Sequence, residues 1–381
     1  MQFEFATAGR VVVGPGRSSE LPGMVAELGS RAMICTGARP ERHAPLLESL
    51  RLPHVVWAVN GEPTVSSARG AMALGREHGV DVVVGIGGGS ALDLGKVLSV
   101  LLTNGGDPLD YLEVVGRGRS LTRPALPYVA VPTTAGTGSE ATANAVLKSV
   151  EHGVKASLRS AFMLPRVALV DPLLTLDCPP AVTASAGLDA LSQCLEPFVS
   201  VRANPLTDGL AREGLRRCGR ALRRAYQDGS DVTARTDMAV CALLGGMALA
   251  NAKLGAIHGF ASAIGGIADV PHGMACAALL VPVVETNVAT LRSRDPDSPA
   301  LARYAEAARL LTGDPGARLA DGIGWLRETV ARLGVPRLAD FGLRPADADA
   351  VVTRAAKASS TQGNPVQLTV DELHAALAGA I

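Results

Sequence analysis

The sequence predicts an α/β N-terminal domain over residues 1–172 and an all-α C-terminal domain over residues 173–381, and three observations carry that expectation. Short apolar runs alternate with amphipathic stretches through the first part of the chain. Two of those runs end in turns rich in glycine and threonine, Gly87-Gly88-Gly89-Ser90 and Pro132 to Glu140. After Asp171-Pro172 the strand signal almost disappears. A length of 381 residues fits about two or three domains at roughly 150 residues each.

Taken in chain order, Val11-Val12-Val13 run into the turn Gly14-Pro15-Gly16 and read as a first strand. Ala32 to Thr36, Val55 to Val59, Val82 to Ile86 and Tyr128 to Val131 read as further strands, with amphipathic helix between them, as over Ser66 to His78. That alternation is a βαβ pattern and predicts a largely parallel sheet of the dinucleotide-binding kind. In the second part, Pro205 to Tyr226, Val232 to Ala250 and Ala300 to Leu311 carry helical spacing with polar caps. Arg292 to Ser298 reads as a surface connection. No internal repeat or low-complexity run interrupts the pattern.

Composition narrows the function classes. Thirty-six Lys+Arg balance 36 Asp+Glu, so bulk electrostatics recruit neither nucleic acid nor an anionic membrane. Aromatics at 3% are too few for a base-stacking platform, whereas 42 glycines suit close backbone approach to a nucleotide. Residues 1–5 lack a basic segment followed by an apolar one, from which a cytoplasmic protein without a secretory signal is expected. The longest apolar stretch, Ala239 to Ala250, is shorter than the roughly 20 residues of a membrane helix and reads as a buried helix. Cys35, Cys178, Cys194, Cys218, Cys241 and Cys276 form no C-x-x-C pair, which argues against a zinc ribbon or a disulfide scaffold.

Gly87-Gly88-Gly89-Ser90 stands between a strand and a helix, where glycines let backbone N–H groups approach a pyrophosphate and the helix N-terminus adds positive potential. Thr133, Thr134 and Thr137 lie in the second loop, whose hydroxyls and small residues suit the other side of a nucleotide. Two such loops place a cofactor crevice at the strand C-termini. Neither is a G-x-G-x-x-G fingerprint or a P-loop.

Of seven histidines, His258 and His272 sit beside glycines in apolar surroundings, where an unpaired imidazole is costly, so each needs a partner. His43, His54, His78, His152 and His374 lie in polar or loop-like surroundings and read as surface residues. Asp189 and Gln193, at i and i+4, share one face of an apolar helix. A buried carboxylate with two imidazoles is a divalent-metal ligand set that leaves a position open for water. A sequence-distant trio of this kind more often serves as caps and core hydrogen-bonding groups.

These segments together resemble the iron-containing (group III) alcohol dehydrogenase family, in order and spacing: Gly87-Gly88-Gly89-Ser90 with Asp93 and Lys96, Pro132 to Glu140, Gly187-Leu188-Asp189-Ala190-Leu191, His258-Gly259, and Pro271-His272-Gly273. The resemblance runs from Arg10-Val11-Val12-Val13 to Gly363-Asn364-Pro365. It implies the dehydroquinate synthase-like fold of that family, Fe²⁺ or Zn²⁺ in the helical domain, and hydride transfer between NAD(P) and a small alcohol or aldehyde in a homodimer. By the same resemblance Asp189, Gln193, His258 and His272 are the metal-site positions and Lys155 contacts the nicotinamide ribose or its phosphate. Asn144, Lys253, Phe260 and Ser360-Thr361 belong to the substrate pocket, where Lys253 would pair with an anionic substrate group or relay a proton.

Two departures from the family pattern are visible. Gln193 occupies the place of a histidine ligand, and Ser262 that of a histidine near the nicotinamide. Gly37 stands where a ribose-binding carboxylate would exclude a 2′-phosphate, with Arg39 close by, so NADP(H) is expected to be accepted. Two other readings compete: a metal-independent reductase of the maleylacetate type and a non-redox, dehydroquinate synthase-like enzyme.

Overall fold

A computed structural model describes residues 2–381. The chain forms two compact units, Thr7–Leu176 and Asp177–Ile381 with residues 2–6.

The first unit is built on a six-stranded sheet in the order β1-β8-β5-β4-β2-β3, with every pairing parallel. Its strands are β1 (Val11–Val13), β2 (Ala32–Gly37), β3 (His54–Val59), β4 (Val82–Gly87), β5 (Tyr128–Pro132) and, after a separate hairpin, β8 (Val167–Val170). Helices α1 (Leu21–Leu28), α2 (Ala44–Ser49), α3 (Val65–Glu77), α4 (Gly89–Asn104) and the short α5 (Pro108–Tyr111) intervene. The apolar runs of β4, β5 and β8 in the middle of the sheet are buried on both faces, as a parallel sheet requires, whereas the edge strands β1 and β3 expose Val11 and Val56. Met33, Cys35 and Val83 face one apolar layer, whereas Ala32, Ile34, Val82 and Val84 face the other. This two-residue alternation fixes the register, because a slip of one residue would exchange the layers.

The antiparallel hairpin β6 (Asn144–Ser149) and β7 (Val154–Arg159) was not expected from the sequence. Ala145 and Leu147 on one strand and Ala156 and Leu158 on the other join the same core as Met33 and Leu94. Polar residues alternate with them, so the hairpin is half-buried and its hydrophobic signal is weak.

The second unit contains α6 (Pro180–Val199), α7 (Pro205–Gln227), α8 (Val232–Ala252), α9 (Ala256–Ile264), α10 (His272–Arg294), α11 (Pro299–Thr312), α12 (Leu319–Arg332), α13 (Ala348–Lys357) and α14 (Val370–Ala378). Helix starts follow their local chemistry. The Asn204 side chain accepts from the Leu206 and Thr207 amides at the start of α7, and Asp231 accepts from Ala234 at the start of α8. Helix α10 continues to Arg294, so the connection expected over Arg292 to Ser298 is confined to its last residues. By length and composition α8 and α10 could each cross a bilayer, yet 67% and 61% of their apolar windows are buried within the structure, which is the pattern of core helices. Helix α8 exceeds its apolar run because Val232 to Met238 extend it with capped, partly polar turns.

Candidate active site and metal centre

The two turns expected to hold a cofactor lie side by side at the carboxyl ends of β4 and β5. The Thr133 amide donates to the Gly87 carbonyl (2.9 Å). A Cβ at Gly87 would stand 2.7 Å from the Ala91 Cβ and 3.2 Å from the Gly37 nitrogen, and one at Gly89 would stand 2.7 Å from the Thr137 methyl. Glycine is therefore obligatory at both positions, and Gly37, Gly87, Gly89 and Thr137 are brought together, with Thr134 next to Gly88. Gly88 begins α4 without a side-chain cap, leaving the first-turn amides of a sixteen-residue helix to act on an anion. Ser90 is half-buried in that first turn.

Asp93 and Lys96, one and two turns further along, support these loops from behind. Asp93 accepts from the Ser139 hydroxyl (2.7 Å) and the Val146 amide (3.0 Å). The fully buried Lys96 ammonium donates to Thr142 Oγ1 and to the Asn144 carbonyl, both at 2.7 Å. Burial lowers its pKa to about 8, with Asp93 and Glu140 acting in the opposite sense.

Glu140 is also buried, and desolvation pushes its carboxyl up to about 7, although Lys96 pulls it back. The ordinary value is 4.5. Between these two pH values the folded protein holds a proton that the unfolded chain has released, so unfolding free energy must fall as pH rises through the window. The cost, roughly 3 kcal/mol, is complete above the folded pKa. Glu140→Gln is expected to abolish most of this slope. Denaturant titrations of both proteins at pH 5 and 7.5 would check it, and an equally steep pH dependence in the variant would refute it.

Lys155 lies on β7 and its Nζ is 2.5 Å from Glu62 Oε1, a half-buried ion pair. Lys253 follows α8 and is exposed. Its backbone takes φ +61°, costly for a side-chain-bearing residue, and its ammonium donates to Gln362 Oε1 (2.8 Å). Phe260 is fully buried, the Thr361 hydroxyl is spent on the Ala355 carbonyl (2.7 Å), and Ser262 is exposed.

In the helical unit the expected cluster forms. Asp189, on α6, places Oδ1 3.2 Å from His258 Nε2 and 3.9 Å from His272 Nε2. His258 stands on α9 and His272 opens α10, with ring centroids 5.5 Å apart. Asp189 and His258 are buried, whereas the His272 side chain is 43% exposed, so the cluster is reached from one side. Gln193 lies one turn beyond Asp189, and its Oε1 is buried without a hydrogen-bond partner among the described residues.

Two residues that sequence reasoning missed complete the surroundings. Glu196 accepts from His258 Nδ1 (2.6 Å) through one oxygen and from the Ile257 amide (2.7 Å) through the other. Cys276, buried on α10, places Sγ 3.7 Å from His272 Nε2. The signal was periodicity: Asp189, Gln193 and Glu196 stand at i, i+4 and i+7 on α6, and His272 and Cys276 at i and i+4 on α10. The ligand atoms of Asp189, His258, His272 and Cys276 all lie within 4.8 Å of one another.

This cluster fits a divalent cation. Glu196 claims the Nδ1 proton of His258, which leaves Nε2 of the neutral ring as an acceptor facing another acceptor, Asp189 Oδ1. A shared cation removes that conflict. In its absence the ring must hold a second proton. Burial opposes that charge, but the negative partners outweigh it and the pKa is raised well above the ordinary value. The orphaned Gln193 oxygen is a second sign of an unmet partner.

A parallel α/β unit with paired phosphate-type turns and a helical unit with an Asp–His–His cluster are the parts of a two-domain dehydrogenase. The description "Iron-containing alcohol dehydrogenase" matches residues 8–172, and "Fe-containing alcohol dehydrogenase family, C-terminal" matches residues 183–381. The long-chain-alcohol dehydrogenase 1 of Geobacillus thermodenitrificans is 40% identical over 276 residues, 70% of this chain and 69% of that protein. The 1,3-propanediol dehydrogenase of Klebsiella pneumoniae is 37% identical over 313 residues, 81% of this chain and 78% of that one. Among solved structures, an alcohol dehydrogenase from Oenococcus oeni superposes with a TM-score of 0.91 at 32% identity, covering 100% of each chain. The chain belongs to the iron-containing alcohol dehydrogenase family and is an oxidoreductase that interconverts an alcohol and its aldehyde or ketone.

Proposed function

We propose that the protein transfers hydride between NAD(P) and a small alcohol–aldehyde couple with Fe²⁺ or Zn²⁺ held by Asp189, His258 and His272 and assisted by Gln193, and that it works as a cytoplasmic homodimer. The observation that carries the reading is the convergence of these three side chains with Glu196 orienting His258. The bound metal supplies Lewis acidity, which polarises the substrate oxygen and lowers the alcohol pKa. Glu196 holds the His258 tautomer and ring angle, and the buried carboxylate of Asp189 supplies the negative charge that offsets part of a dication. The amides at the start of α4 bind the cofactor pyrophosphate, with Thr133, Thr134 and Thr137 beside them. Lys155 is proposed to leave Glu62 for the nicotinamide ribose or its phosphate, and Lys253, exposed and already carrying its charge outward, to meet the substrate. Relatives named as alcohol and propanediol dehydrogenases do not favour the metal-free or non-redox readings.

The test is a metal assay on the purified protein, with aldehyde-dependent oxidation of NADH and NADPH before and after exhaustive chelation. Loss of turnover on chelation and recovery with Fe²⁺ or Zn²⁺ is expected. Full turnover in a demonstrably metal-free preparation would overturn the metal assignment.

Cofactor choice follows from the end of β2. Thr36 is followed by Gly37, no carboxylate guards the position, and Arg39 is exposed nearby. NADPH is expected to bind as tightly as NADH or tighter. Fluorescence titration with both would check this, and NADH binding at least about tenfold tighter would refute it.

A further inference from the structure

We propose that Cys276 is a thiolate ligand of the same metal centre, standing in for the imidazole that Gln193 does not supply, and that the centre is consequently selective for Zn²⁺ over Fe²⁺. The inference rests on the metal assignment above and goes beyond it in naming a thiolate, in place of the Gln193 amide, as the fourth donor and the ion that it selects.

Geometry is the first support. Bonds of about 2.0–2.1 Å to nitrogen or oxygen and about 2.3 Å to sulfur, at angles of roughly 90–120° around an ion with four protein donors and a fifth position left for the substrate oxygen, set the ligand atoms about 2.9–3.8 Å apart. The spacings here are 3.2 Å for Asp189 Oδ1 to His258 Nε2, 3.9 Å for Asp189 Oδ1 to His272 Nε2 and 3.7 Å for Cys276 Sγ to His272 Nε2. These three lie within or just beyond that range, and the remaining spacings among the four atoms are all within 4.8 Å. His272 and Cys276 occupy i and i+4 on α10, so both project from one face.

Charge is the second support. Of the groups that would touch the metal, Asp189 and two neutral imidazoles supply one negative charge; Glu196 supplies a second only from behind the His258 ring, and an amide oxygen from Gln193 supplies none. A thiolate places a second negative charge on the metal itself, where Asp189 and Cys276 are buried at 2% and 0% exposure and water cannot screen the dication. On coordination the Cys276 S–H bond breaks, its proton leaves to solvent, and the sulfur lone pair forms the bond to the metal. Sulfur is a soft donor and favours Zn²⁺ over Fe²⁺. Cys276 is part of a four-donor cluster, whereas the other buried thiols, Cys35, Cys194, Cys218 and Cys241, belong to no such group among the described residues.

The experiment loads the full-length protein with Co²⁺, a spectroscopic substitute for Zn²⁺, and reads the near-ultraviolet thiolate-to-metal charge-transfer band. Wild type is expected to show the band. Cys276→Ser should lose it and bind Zn²⁺ roughly tenfold or more weakly in chelator competition, with an unchanged circular dichroism spectrum, whereas Cys35→Ser should keep it. Competitive loading with equimolar Fe²⁺ and Zn²⁺ should give wild type mainly zinc and Cys276→Ser a smaller zinc excess. Stoichiometric Co²⁺ without the band, or a band that survives in Cys276→Ser, overturns the thiolate ligand while leaving the metal assignment standing. Failure of wild type to bind either Co²⁺ or Zn²⁺ overturns both.

Discussion

His258→Ala is expected to lose metal occupancy and at least about 10²–10³-fold in kcat together, the largest effect of any single substitution in the helical unit. Among the described residues, His258 alone hydrogen-bonds both carboxylates of the cluster, Glu196 through Nδ1 and Asp189 through Nε2. Truncation removes one donor and also leaves two buried acidic groups without the partner that separates them. Breaking a buried ionic group in this way costs about 3–5 kcal/mol of stability, so the metal-free variant should also unfold earlier. Asp189→Ala removes the negative charge and should match the loss of occupancy. Gln193→Ala should be mild, because it deletes an amide oxygen that has no hydrogen-bond partner among the described residues. Metal analysis, steady-state kinetics and denaturant titration on the three variants would check this order. A His258→Ala protein that keeps both its metal and its turnover would remove the residue from the site.

Phe198→Ala should be the most destabilising change outside the site, at about 4 kcal/mol or more. The ring ends α6, is fully buried, and is flanked by two guanidinium groups, Arg212 at 5.2 Å and Arg303 at 5.4 Å from its centroid. Arg303 is held there by both oxygens of Asp208 (2.6 and 2.8 Å) and by the Phe198 carbonyl (2.8 Å), and Arg212 by Glu306 (2.5 Å). Truncation therefore opens a cavity beneath two anchored cations that cannot move to fill it. Phe198→Leu keeps most of the volume and should cost less than half as much. Chemical denaturation of the full chain, read by helical circular dichroism, distinguishes the two, and equal stabilities of Phe198→Ala and wild type would show that the ring contributes nothing.

Much of the architecture was legible because it depends on local periodicity. The strands β1 to β5 announce themselves as short β-branched runs, and α7, α8 and α11 as helical spacing with capping residues at their starts. The hairpin β6–β7 escaped because each strand buries only alternate residues, so no continuous apolar run marks it. The glycines after β4 were readable as a close-approach turn, but their packing against Thr137 and Gly37 arises from segments about fifty residues away in either direction.

By itself the sequence determined the βαβ order, the helical second half, the two glycine- and threonine-rich turns after β4 and β5 and the pair His258 and His272 as polar groups in need of partners. These are consequences of side-chain type at fixed local spacing. The family resemblance already grouped Asp189 and Gln193 with the two histidines, and only the tertiary structure decided which atoms meet. Asp189, His258 and His272 meet because α6, α9 and α10 converge, and that convergence also brings in Glu196 and Cys276, which as single letters on apolar helices look like any other buried residue. A ligand set is a statement about distances of a few ångströms between atoms on different helices, and such distances are set by packing across the whole unit.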